Sequence, residues 1–491
     1  MLLTRRQFLV GSAALAGCAR RASPRSPVFV NDIHAQLNRT PVDRVVRVDS
    51  LDAVRGAIRD ARAAGKALSI AGGRHAMGGQ QFGAGTVLLD TTGLRRVLRF
   101  DPERGRIEVE AGIQWPELID YLLAAQRGRA PQWGIVQKQT GADRLCLGGA
   151  LAANVHGRGL RLKPVIADVE SFVLVDAAGT PRPCSRRENP ELFRLVIGGY
   201  GLVGVIASVT LRLAPRRKLQ RVVEVIDVER LMPAVEQRIA DGFLYGDFQY
   251  ATDTASDDFL RKGVFSCYRP VDDATPMPAT RKELSVEDWH RLLYLSHADK
   301  KRAFEEYAAY YLSTSGQLYW SDTHQLSVYI DNYHEALDRR LGATERATEM
   351  ITEIYVPRPA LARFLADVRE DVRAHRVEVI YGTIRLIERD DESLLAWARA
   401  PWACVIFNLH VVHTPAGLEH AAAAFRRLID LAIRSGGSYY LTYHRWATRQ
   451  QVETCYPQFP EFLRLKRRHD PEERFQSDWY RHYRQMFADA L

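Results

Sequence analysis

An α+β fold of two units is what this 491-residue chain predicts, and three observations carry the prediction. Helical and strand periodicities alternate from residue 45 onward, with no internal repeat. Glycine-rich segments adjoin strand-like runs at 71–80, 147–159 and 199–204. A Pro215-Arg216-Arg217-Lys218 break separates two stretches of different pattern, in a chain longer than one core usually serves. The expected division is 41–217 and 218–440, with 441–491 as a closing segment.

The elements follow in order. VVRV at 45–48 reads as a strand, and Ser50 caps a helix whose Leu51, Val54 and Ile58 recur at helical spacing. Gly65 stands where a C′ glycine belongs. Ala67–Ile70 is a second strand that runs into Ala71-Gly72-Gly73-Arg74-His75-Ala76-Met77-Gly78-Gly79-Gln80. VLLD at 87–90 is a strand, 94–112 a hairpin turning at DPERG, and 115–126 a helix. Residues 164–176 read as a strand, 188–196 as a helix, and 205–213 as an alternating strand. Beyond the break, strands at 222–228 and 407–414 mix with amphipathic helices at 359–374 and 417–434.

Composition excludes several classes. With 46% apolar and 26% charged residues, the chain is neither disordered nor fibrous. No apolar run reaches 18 residues, so a polytopic membrane protein is excluded. Six scattered cysteines without a C-x-x-C pair predict neither a disulfide scaffold nor a metal site. The net charge of +9 comes from bases interleaved with acids, as in Glu388-Arg-Asp-Asp-Glu392, which reads as a solvated surface with no nucleic-acid partner.

The first residues read as an address. Arg5-Arg6 before a short apolar stretch matches a twin-arginine export signal, and Leu15-Ala16-Gly17-Cys18 looks like a lipobox. The expectation is a signal at 1–17, lipidation at Cys18, a linker at 18–40, and a periplasmic protein whose only membrane contact is that lipid. Ordinary secretory cleavage without a lipid, or a fortuitous basic start, is the alternative. Export in the folded state carries a further expectation, a cofactor acquired beforehand.

Gly199-Tyr-Gly201-Leu-Val-Gly204 satisfies G-x-G-x-x-G, yet a helix precedes it and a strand follows, the reverse of a dinucleotide fingerprint. The loop at 71–80 differs. Four glycines after a strand let consecutive N–H groups turn towards one anion. In 147–159, Gly148, Gly149 and Ala152 leave room for backbone to lie flat against a planar ligand, while Asn154 and His156 offer polar contacts.

GGRHAMGGQ, GGALAANVHG, NPELF at 189–193 and GGYGLVGVI at 198–206 occur in the order of a known pattern. Together they resemble the PCMH-type FAD-binding domain of the vanillyl-alcohol-oxidase superfamily. The tail, YYLTYHRWA at 439–447 and on to 481, is similar to that of sugar-lactone oxidases, alditol oxidases and the decaprenylphosphoryl-ribose oxidase group. The resemblance implies a two-subdomain FAD domain at 41–217, an α+β cap at 218–440, and a tail returning to line the active site. It implies FAD contacts from Ala71–Met77, Gln80, Gly148, Gly149, Ala152, Asn154, His156, Gly157, Gly201, Gly204, Val205 and Ile206. His75 matches the loop histidine that many members bond to the flavin, although Arg74 and Ala76 replace the usual glycine and serine.

Alcohol oxidation by a flavin needs a hydride acceptor, a proton acceptor and a nearby positive charge. Arg385 is the candidate cation, on a segment resembling the alditol-oxidase strand, with Thr383 where that group has Glu. Tyr443 or His444 is the candidate for the proton, one of the two pointing away if the segment is a strand. Tyr319, Trp320, Asp322 and His324 could line a carbohydrate-like pocket, or pack as core. The expected activity is oxidation of a CH–OH group of a sugar, polyol or aldonolactone, with O2 or a membrane or periplasmic carrier taking the electrons. A flavin- or anion-binding lipoprotein without turnover is the alternative.

Overall fold

The computed structural model describes residues 26–328, 330 and 332–491. Arg5, Arg6, Cys18 and the expected linker as far as residue 25 lie outside the described residues; the rest of it includes strand Val28–Val30, paired with Thr40–Val42. No helix among the described residues is long and apolar enough to cross a membrane.

A three-stranded parallel sheet opens the fold, with strand Val87–Asp90 between Arg44–Arg47 and Leu68–Ala71. Parallel neighbours need a crossover, and helix Leu51–Ala63 supplies it. The Ser50 hydroxyl accepts from the Ala53 N–H at 3.2 Å to start this helix, and Gly65 at φ +62° ends it. Val54, Ala57, Ile58 and Ala61 form its buried face, whereas Leu51 is exposed.

A five-stranded antiparallel sheet follows, in the order Pro181–Ser185, Val169–Val175, Val205–Arg212, Arg106–Glu110, Val97–Asp101. The strand expected from 164 begins only at Val169, because Pro164 starts a 3-10 turn over Val165–Asp168. Gly105, at φ +60°, turns the hairpin expected there.

Past the break, one sheet of eight strands carries everything from Lys218 to Tyr439. Its order is Leu318–Trp320, Lys218–Asp227, Lys262–Pro270, Tyr245–Tyr250, Val379–Ile387, Trp402–Val412, Ala347–Pro357, Ser438–Tyr439. Helices Leu361–His375 and Pro415–Arg434 cover one face. Helices Val286–Ala298 and Lys300–Ser313 cover part of the other, where Val223 and Val264 pack against Ala308.

The chain then returns to its beginning. Arg474 and Gln476 bracket Leu68, which donates to the Arg474 carbonyl at 2.7 Å and accepts from the Gln476 N–H at 2.8 Å. One buried ion pair sets up this return. Lys466 and Asp470, both fully buried, pair across one helical turn. Asp470 also accepts from the N–H groups of Arg474 and Phe475, each at 2.8 Å. Removing one partner of a buried pair strands the other charge, at a cost of about 3–5 kcal/mol. Asp470→Ala should therefore lower unfolding free energy by about that amount in a urea titration, and Lys466→Met in the same chain should restore part of it. A loss below about 1 kcal/mol would remove the pair from this role.

Candidate functional site

A cleft enclosing about 1420 Å³ of empty space, its open mouth included, runs between the two small sheets and the large one. All three glycine-rich segments reach it. From the first come Gly72, Gly73, Arg74, His75, Ala76, Met77 and Gln80; from the second Gly148, Gly149, Ala152 and His156; from the third Gly201, Gly204 and Ile206. The large sheet adds Ile351, Glu353 and Arg385, and the tail adds Tyr440, Thr442 and Tyr443.

The glycines have local reasons. A Cβ on Gly73 would stand 2.4 Å from the Arg144 carbonyl oxygen, so the loop closes only without a side chain. Gly149 is the reverse case, since a Cβ there meets nothing within 4 Å and would occupy the cleft itself. These residues fit a flat ligand laid against backbone. Arg74 holds φ +60°, a left-handed conformation that glycine adopts without strain and arginine does not. The departure from the family pattern at this position is thus tolerated at the expense of local strain. Gln80 ties the loop to the tail, its amide donating to the carbonyls of Leu441 and Thr442 at 3.1 and 2.7 Å. His75 Nδ1 and His34 Nε2 share a hydrogen bond of 2.8 Å. Burial pushes both imidazoles down, His75 to about 3 and His34 to about 4, so both are neutral at physiological pH.

Opposite the loops stands a charged group. Glu353 lies on strand Ala347–Pro357, in contact with His156 Nε2 through Oε1 and accepting from the Tyr443 hydroxyl at 3.4 Å through Oε2. Burial alone would raise its carboxyl; His156 and then Arg385 outweigh that and hold it below the usual carboxylate range. The Tyr443 phenol is pushed well above its ordinary value, by burial and then by Glu353, and stays protonated. Arg385 makes no ion pair among the described residues, and its Nε has no hydrogen-bond partner. Sheet register explains the meeting. Glu353 pairs with Ile406, and Ile406 with Thr383, so all three share one row and one face. The carboxylate missing at Thr383 is present two strands away.

Several expected residues stand elsewhere. His444 does not line the cleft: it packs against Phe425 at 4.1 Å between centroids, accepts from the Trp446 N–H, and is pushed down to about 3 by burial. The strand ends at Tyr439, and in the irregular stretch after it Tyr443 alone of that pair faces inward. Asn154 is occupied as a helix cap at φ +49°, donating to Asp390 at 2.9 Å and accepting from the Ile166 N–H at 3.1 Å. Val205 points into the opposite core with Val175, because neighbours on a strand alternate and Ile206 takes the cleft. Ala71 closes its strand under the loop, and Gly157 sits against the Lys138 carbonyl; neither lines the cleft.

The segment expected as a carbohydrate pocket is outside the cleft as well. Asp322 pairs with Arg216 at 2.8 Å, and Trp320 stacks under the same guanidinium at 4.1 Å. Tyr319 joins a small core with Tyr268, and His324 is buried between Tyr245 and Tyr268. Sequence reasoning missed Glu353, and the signal was there: ATEMITEIYV is a strand buried almost throughout that nevertheless carries two glutamates on one face. Cys146 also reaches the cleft, but burial pushes its thiol up to about 11, keeping it protonated.

Comparison with known proteins agrees with this geometry. The family described as FAD binding domain matches residues 42–185. Over 405 residues, 80% of this chain and 85% of the relative, the sequence is 25% identical to an L-gulono-1,4-lactone dehydrogenase of Mycobacterium tuberculosis. It is 34% identical over 125 residues, 25% of the chain and 19% of the relative, to the mitochondrial L-galactono-1,4-lactone dehydrogenase of Arabidopsis thaliana. An L-gulonolactone oxidase of Bos taurus is 29% identical over 172 residues, 35% of the chain and 37% of the relative. The fold, the glycine-lined cleft and these relatives lead to one conclusion: the chain is an FAD-dependent oxidoreductase with a PCMH-type FAD binding domain.

Proposed function

We propose that this flavoprotein oxidises a CH–OH group of a sugar lactone or a closely related polyhydroxylated substrate. The observation that carries the reading is the meeting of Glu353, His156, Tyr443 and Arg385 at the cleft wall facing the glycine-rich loops. The named activities of the relatives support the substrate class.

FAD, when bound, supplies the hydride acceptor at N5. Gly72–Met77, Gly148, Gly149, Ala152, Gly201 and Ile206 would hold it against backbone. Glu353, kept ionised, receives the substrate hydroxyl proton into its pair with His156. The Tyr443 hydroxyl donates to the second oxygen of Glu353 and fixes its orientation. Arg385 places a positive charge at the wall where negative charge develops. The buried surroundings of Glu353 and Tyr443 exclude water from the proton's path.

Arg385→Ala should slow flavin reduction by L-gulono- or L-galactono-1,4-lactone roughly a hundredfold with the flavin retained, as followed by stopped-flow bleaching. In the wild type, kcat/KM should hold level through the weakly acidic range and fall only below the ordinary glutamate value of about 4.3, since Glu353 must be deprotonated and is held low. Glu353→Gln should remove activity at every pH. An acid limb near the ordinary histidine value, with Glu353→Gln still active, would move the proton acceptor to His156.

His75, neutral and at the cleft, is proposed as the site of a covalent bond to the flavin. Acid precipitation should give a yellow pellet that loses its colour in His75→Ala. A colourless wild-type pellet would leave His75 as a loop residue only.

Export is the remaining part of the proposal, resting on Arg5-Arg6 and Cys18. Replacing both arginines by lysine should retain the precursor in the cytoplasm, and Cys18→Ser should abolish incorporation of labelled fatty acid. Undiminished export of the double lysine variant would overturn the twin-arginine route.

A further inference from the structure

Outside the cleft, the same face of the large sheet carries a second buried cluster. Glu349 lies four residues before Glu353 on one strand, so roughly 13 Å separates them along it. Three imidazoles converge on Glu349. His297 Nε2, from helix Val286–Ala298, stands 3.2 Å from Oε1. His410 Nδ1, from the paired position on strand Trp402–Val412, stands 3.5 Å from the same oxygen. His334 Nδ1, from helix Tyr333–Leu341, stands 2.9 Å from Oε2. The Tyr333 hydroxyl donates to Oε2 at 2.6 Å.

The directions of these nitrogens matter more than their distances. Nε2 of His297 and Nδ1 of His334 and His410 are all buried, and none makes a hydrogen bond. Imidazoles that merely donated to a carboxylate would point their N–H bonds along the line to oxygen. Here the nitrogens crowd one carboxylate without that alignment. One ligand atom each of His297, Glu349 and His410 lies within 4.8 Å of the others, close enough for one tetrahedral ion with bonds of about 2.0–2.1 Å to draw them together, while His334 faces the other carboxylate oxygen. Burial alone would raise the Glu349 carboxyl, but the facing imidazoles hold it well below the usual range, so it remains an anionic donor.

We propose that His297, Glu349 and His410 bind one divalent transition-metal ion of the zinc class. Two imidazoles and one carboxylate without thiolate suit zinc, whereas calcium and magnesium prefer oxygen ligands throughout. The site joins helix Val286–Ala298 of the cap to two neighbouring strands. It is distant from the proton-accepting group of the cleft, and its role is to pin helix Val286–Ala298 to the sheet. His410, with 22% of its side chain exposed, leaves the ion a way in from solvent.

The test uses the full-length, untagged, FAD-loaded protein, exposed to zinc chloride and then dialysed against metal-free buffer. Elemental analysis should find about one zinc per chain, and chelation should lower the thermal midpoint until zinc is restored. His297→Gln and Glu349→Gln should each lose the zinc while keeping FAD, and His156→Gln should keep both. Absence of stoichiometric zinc in the wild type overturns the proposal, whatever the variants do. Retention in both cluster variants, or loss in His156→Gln alone, also overturns it, the latter by placing the ion at His156, Glu353 and Cys404, whose ligand atoms lie within 4.8 Å of one another.

Discussion

Glu353 is a carboxylate buried between two sheets, and such a group is costly unless it is matched on the spot. His156 matches it from one side and the Arg385 charge from another, with Tyr443 completing its hydrogen bonds. The three partners come from three parts of the chain: the small-residue segment after helix Leu147–Ala153, the large sheet, and the tail. None can be displaced without exposing the charge or stranding it. The contact therefore fixes the register of the large sheet against the glycine-rich loops, and with it the shape of the cleft. An apolar residue at 353 would allow these parts to slide. The carboxylate makes one arrangement far better than its neighbours.

What the sequence made legible was backbone. Where a chain must run close to a ligand or to itself, only glycine serves, as at Gly73, and the letter itself records the constraint. All three glycine-rich segments identified in the sequence meet in one cleft for that reason. Alternation was harder to use. Val205 and Ile206 are both apolar neighbours in the motif, and only the strand's facing decides that Ile206 reaches the cleft. Asn154 was expected to offer the ligand a polar contact, but its side-chain amide is spent on Asp390 and on the Ile166 N–H.

Least legible were groups assembled across the large sheet. Glu353 meets His156 across 197 positions, and no local pattern marks the pair. The same holds for the cluster around Glu349, whose proposed ligands sit on three elements, so the absence of a short metal motif carried no information. Conversely, the aromatic and polar run at 319–324 looked like a recognition surface. Its charge is spent on Arg216 and its rings on a small core at the sheet edge. Composition alone does not distinguish those uses.

The hydrogen bonds from Gln80 to the carbonyls of Leu441 and Thr442 have a temporal meaning as well as a geometric one. A ribosome makes the glycine-rich loops early and the tail last. Until residues beyond 440 leave the exit tunnel, the cleft has no wall formed by Tyr440, Thr442 and Tyr443, and Gln80 has no carbonyls to hold. The nascent chain can pair its first sheets, yet its cofactor cradle stays open on one side for the rest of synthesis. Completion of the cleft is thereby linked to completion of translation: a chain cut short by a premature stop cannot close it.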